Sequence, residues 1–147
     1  LQVVDQKMIT GGRTQARDEI FAIVKNVADA EGYPVSWQSE LDDADVDQVY
    51  FFAAVQHVSG DQAALAGDGA KRRREVLGMV HVTIRVPVQQ GGLTVADNLS
   101  TIMENALFGK STPNGVWFRN VIGREVPAKD GNEQTQVSAE FVYQELV

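Results

Sequence analysis

Residues 49–88 constrain the fold more than any other part of the chain. They read as two β-strands, Val49–Val58 and Val76–Val88, around a polar, glycine-punctuated connection. In the second run Val76, Gly78, Val80, Val82, Ile84 and Val86 share one face. Leu77, Met79, His81, Thr83 and Arg85 share the other. This period of two is the pattern of a sheet with one buried face. At about 3.3 Å per residue the second run spans roughly 40 Å, close to the width of a domain of this length. The connection from Ser59 to Glu75 is expected to be a long loop, the kind of segment that often carries function.

The remaining periodicity surrounds this pair with two helices and further strands. From Thr14 to Glu31, Ala16, Ile20, Ile23, Val24 and Val27 form one apolar stripe. Thr14 is the expected N-cap, and Gly32 and Pro34 end the helix. Arg13, Arg17, Asp18, Glu19, Lys25 and Asp29 are assigned to its solvated side. Tyr33–Trp37 reads as a short strand. A second helix is expected from Thr94 to Phe108, with Ala96, Leu99, Ile102, Met103 and Ala106 on one face and Gly109 as its stop. Val116–Val121 and Ile122–Val126 read as two short strands. Asp130-Gly131 marks a tight turn before a closing strand, Gln134–Leu146. The fold class is therefore α+β, a single mostly antiparallel sheet with two helices packed on one face, in the order α-β-β-β-α-β-β-β. Residues 1–12 are expected to be a flexible arm, and residues 13–147 one domain.

Bulk properties narrow the chemistry. The 147 residues can bury a real core, and a 44% hydrophobic, 22% charged composition is that of a globular chain. No apolar run reaches the roughly 20 residues of a membrane helix, and the amino end lacks a signal-peptide pattern. The absence of cysteine excludes disulfides and thiolate metal sites, as expected in a reducing cytoplasm. A net charge of −7 disfavours general nucleic-acid affinity but permits a local basic site.

Motif spacing gives catalysis no support. Gly109-Lys110-Ser111 imitates the end of a phosphate-binding loop, yet the position that needs the first glycine is Glu104, and the motif closes a helix instead of opening one. Asp43, Asp45 and Asp47 have the opening spacing of a calcium loop. The required glycine and glutamate are replaced by Gln48 and Ala54. His57 and His81 lie in separate strands without ligand partners at metal spacing. No nucleophile elbow is present. No cofactor, metal site or enzymatic activity is expected.

Two charged stretches remain. Lys71, Arg72, Arg73 and Arg74 are four contiguous cations in an acidic chain; Glu40, Asp42, Asp43, Asp45 and Asp47 are five carboxylates without a cation among them. Solvated flanks are one reading. The other is complementarity: in a ring of identical subunits the basic loop of one meets the acidic loop of the next.

Three further segments carry a family resemblance. They are Ala16–Phe21 running into Gly32–Trp37, then Thr112–Val121, and the closing Ala139–Glu145. Their order and spacing from Arg13 to the end resemble the tail-terminator-like proteins that cap the tail tube of long-tailed bacteriophages. The resemblance implies a structural virion protein, assembled in the host cytoplasm, without fixed catalytic residues. It implies a homohexameric ring that stops tube growth, with the tail tube protein and a head-completion or connector protein as partners. Genomic DNA would pass through the lumen without specific binding. Two alternatives stay open: another head–tail connector component, and a small nucleic-acid-binding module using the basic loop.

Overall fold

The computed structural model describes residues 8–38, 48–66 and 71–146. Its elements are α1 (Gly12–Glu31), β1 (Val35–Trp37), β2 (Tyr50–Ala66), β3 (Lys71–Pro87), α2 (Gly92–Leu107), β4 (Trp117–Lys129) and β5 (Asn132–Leu146), with one 3-10 turn at Val88–Gln90. The five strands form one sheet in the order β1-β2-β3-β5-β4. Every pairing is antiparallel except β1 with β2. The α+β class with both helices over one sheet face follows from the burial pattern. Val76, Val80, Val82, Ile84 and Val86 of β3 are buried in one cluster with Ala16, Ile20 and Val24 of α1 and Ala96, Leu99 and Met103 of α2.

β3 is the centre of the sheet. It pairs with β2 from Lys71 to Arg85 and with β5 from Arg73 to Pro87. Its apolar face has no room to spare. A Cβ on Gly78 would lie 2.2 Å from the Phe141 ring and 2.5 Å from the Gln56 carbonyl oxygen. Gly78 and Phe141 are direct cross-strand partners, so the missing side chain makes the space that the ring occupies.

Four expectations change. Residues 59–66 and 71–75, expected in a loop, are strand: β2 continues to Ala66 and β3 begins at Lys71. Small and polar residues hide the period-2 signal over 59–66, and hydrogen bonding to β3 supplies what side-chain pattern does not. The two short strands after α2 are a single strand, β4. Its register shifts between Arg119 and Ile122, where Asn120 has φ of 53°. A bulge of this kind interrupts alternation without ending a strand, so the sheet has one strand fewer than expected. Thr14 does not cap α1. The helix begins at Gly12, and the Gln15 Oε1 accepts from the backbone N–H groups of Thr10 (3.1 Å) and Gly11 (2.5 Å). At the end of α2, Phe108 is the cap residue in an extended conformation, and Gly109 follows with φ of 68°.

Other expectations hold. Gly32 closes α1 in the left-handed conformation. Asp130 and Gly131 both have positive φ, as a type I′ hairpin turn requires. Phe118 is buried while its neighbour Trp117 is 43% exposed, as expected for opposite faces of one strand.

Gly78→Ala is expected to destabilise the protein by about 1–3 kcal/mol, because neither the Phe141 ring nor the Gln56 backbone can retreat freely. Urea denaturation monitored by circular dichroism measures the loss.

Candidate functional site

Strand alternation divides the basic tetrad. Arg74 faces the helices, opposite Glu145 of β5, whereas Arg73 points to the other side of the sheet. The backbones of Lys71 and Arg72 lie at the start of β3. The acidic residues Glu40, Asp42, Asp43, Asp45 and Asp47 lie outside the described residues.

Around Arg74 the fold brings together groups that are far apart in sequence. Ile9 forms a parallel bridge with Glu145, and its N–H donates to the Gln144 carbonyl at 2.8 Å. Ile9 is fully buried. This anchor sets the start of α1, three residues later, against the carboxyl end of β5. Arg13 and Arg17, one turn apart on α1, thereby come near enough to His57 and Tyr143 for their charges to act on both. Arg74 Nε lies 3.7 Å from Glu145 Oε1, the one ion pair of this cluster among the described residues.

Beneath the arginines the Tyr143 hydroxyl lies 2.9 Å from His57 Nε2. The His57 ring packs edge-on against Phe141 and Tyr143, at centroid separations of 5.2 and 5.8 Å. Burial first, and then the charges of Arg13 and Arg17, lower the His57 pKa to about 4. Tyr143 is raised to about 12, by burial and then by Glu145, against the opposing pull of Arg13, Arg17 and Arg74. Buried Nε of Arg17 and Nδ1 of His57 have no hydrogen-bond partner among the described residues. Near neutral pH the cluster therefore holds a neutral histidine and a protonated tyrosine under three guanidinium groups and one carboxylate.

Sequence reasoning singled out Arg74 but left Arg13 and Arg17 as ordinary surface charges. Their spacing of four placed them on one side of α1. Their destination depended on where Ile9 docks.

Two turns into α1 a different tie is made. Glu19 accepts from the Asn114 backbone N–H (3.1 Å), the Asn114 side chain (2.8 Å) and Gln15 (3.0 Å). Burial alone raises its pKa, but these hydrogen bonds together with one from Thr112 outweigh it and hold the carboxyl below its usual value. The helix-free face of the sheet exposes Val58, Trp117 and Ile122, at 64%, 43% and 59%. A hollow of about 220 Å³ there is lined by Val58, Leu77, Met79, Arg119 and Glu140. Arg119 donates to Glu140 at 2.8 Å and lies over the Trp117 ring. Among the described residues no group of three or more His, Asp or Glu side chains is arranged to hold a metal ion, and no helix is long and apolar enough to cross a membrane.

No protein-family model matches the sequence, and no curated protein matches it. Among solved structures, one chain whose name states no activity is similar over 90% of this chain and 96% of its own, with a TM-score of 0.64 and 16% identity. That likeness establishes the fold. A chain in the virion of a native gene transfer agent particle aligns over 89% of this chain and 94% of its own, with a TM-score of 0.48 and 14% identity.

Lowering the pH from 6.5 to 4 is expected to reduce stability through His57. In that window the unfolded histidine takes up a proton that the folded one refuses, so its contribution is complete above about pH 6.5 and lost towards pH 4. The fall in thermal midpoint across this range should be smaller for His57→Gln than for the wild type in a calorimetric pH series.

Proposed function

We propose that this chain is a structural virion protein of the tail-terminator type. It assembles as a homohexameric ring on the last ring of tail tube protein, stops tube polymerisation and offers a surface to head-completion or connector proteins. Genomic DNA crosses the ring without specific binding. The protein acts by surface complementarity and uses no cofactor and no membrane.

The observation that carries this reading is the order and spacing of the three resembling segments, which meet one another in the fold. Glu19, in the first, holds Asn114 of the second. Phe118, also in the second, pairs across the sheet with Phe141 of the third. A set of residues that packs as one unit is a stronger basis for a family likeness than the same residues scattered. Two surface properties support an assembly role. Large apolar side chains are exposed on the helix-free sheet face, and an acidic chain keeps its cations in local clusters. Net negative charge also suits a channel through which DNA must slide, because it repels phosphate.

Addition of the purified protein to phage tails lacking a terminator tests the reading. Uniform tail length and recovered infectivity are the expected result; tails that remain overgrown would overturn it.

A further inference from the structure

We propose that the cleft between α2 and β4 is a binding site for a small organic cation, a protonated amine or a guanidinium group. The cleft has a volume of about 260 Å³, and Asp97, Ser100, Glu104, Gly123, Glu125 and Thr135 line it.

Its shape follows from one missing side chain. A Cβ on Gly123 of β4 would lie 1.6 Å from Glu104 Oε1 and 3.0 Å from Ser100 Oγ. The Glu104 carboxylate thus lies over the strand where a side chain would begin, with the Ser100 hydroxyl beside it. Ser100 and Glu104 are four residues apart on α2, so one helical turn brings both oxygens to the same place. The β4–β5 register pairs Gly123 with Val137 and Glu125 with Thr135. Val137 is buried in the core under the helices, and the Thr135 hydroxyl donates to the Ala96 carbonyl of α2 at 3.4 Å. Direct cross-strand partners share a face, so Gly123 and Glu125 are on the α2 side of the sheet.

The side chains of the cleft offer acceptors. The Asp97, Glu104 and Glu125 carboxylates form no ion pair among the described residues. Ser100 is only 7% exposed, and its hydroxyl has no hydrogen-bond partner among the described residues. A hydroxyl so deeply placed is costly to leave unpaired, and its Oγ is directed at Gly123, within the cleft. Thr135 spends its proton on Ala96 and keeps lone pairs for accepting. The one cation of the lining is turned away. Arg124 follows Gly123 along the strand and points to the opposite face, where its Nε (3.1 Å) and Nη2 (2.6 Å) donate to Gln136 Oε1.

Three carboxylates and an unpaired hydroxyl select a ligand that is positively charged and carries several N–H donors. A metal ion fits less well. Among the described residues no group of three or more His, Asp or Glu side chains is arranged to hold one, so these carboxylates do not converge on a single ion. An ammonium or guanidinium group reaches separated acceptors because its N–H bonds diverge. Two sources supply that chemistry: a free amine, and a lysine or arginine side chain of a partner protein.

Titration of the isotope-labelled full chain with n-butylammonium and n-butylguanidinium, at constant ionic strength, tests the site. Heteronuclear NMR should show saturable shifts centred on the amides of residues 97–104 and 123–125, with dissociation constants on the order of 1–10 mM. Tetramethylammonium has the same charge and no N–H donor, and should bind at least about fivefold more weakly. Gly123→Ala displaces the Glu104 oxygen, and Glu104→Gln removes its charge; each should weaken binding at least about fivefold. Ser100→Ala should weaken it about two- to threefold. Glu75→Gln, at an exposed position of β3, should leave it unchanged. Blocked Gly-Lys-Gly and Gly-Arg-Gly peptides distinguish the sources. Tighter binding than the free cations assigns the site to a partner's side chain, and weaker binding assigns it to a free amine. Absence of saturable shifts at these residues would overturn the proposal. So would equal binding of tetramethylammonium, or full affinity in folded Gly123→Ala and Glu104→Gln.

Discussion

The fit of Phe141 over Gly78 is the constraint on which the rest of the sheet depends. β3 can serve as the central strand only if β2 and β5 approach it closely along its whole length, and at this row a single methyl group would collide with both neighbours. With the ring seated, Val76, Val80, Val82 and Ile84 form an apolar floor that both helices cover. Phe141 also carries the packing outward. His57 and Tyr143 stack around it, and the arginines gather above them. The core and the charged end of the sheet are thus continuous.

That continuity explains how an acidic protein maintains a local positive field. A cluster of cations on a flexible loop would be screened and would lose side-chain entropy on binding. Here a helix sets the backbones of Arg13 and Arg17 and a central strand that of Arg74. The buried Tyr143–His57 pair beneath them stays uncharged near neutral pH, and the field above it is set by the arginines and Glu145.

Much of the architecture was legible in the chain because burial imposes regular spacing. The stripe Ala16–Ile20–Val24 and the alternation from Val76 to Val86 each identify an element and its buried face. Gly32 and Asp130-Gly131 mark ends by conformational need. Legibility fails where another force substitutes for side-chain pattern. Residues 59–66 are too small and polar to advertise a strand, and they extend because β3 offers hydrogen bonds. The bulge at Asn120 resembles a break because one backbone angle resets the alternation.

The sequence by itself determined which faces are apolar, that the class is α+β, and that opposite charges are concentrated in separate stretches of one acidic chain. Local periodicity and composition are sufficient for these, since each depends on neighbouring residues. The tertiary structure adds that Arg73 and Arg74, adjacent in the chain, face opposite sides of the sheet. A strand turns successive side chains to opposite faces, which separates Arg73 from Arg74. Ile9, buried against the end of β5, then delivers Arg13 and Arg17 to the Arg74 side. Which charges share a surface depends on where distant segments dock, and spacing along the chain carries no record of that.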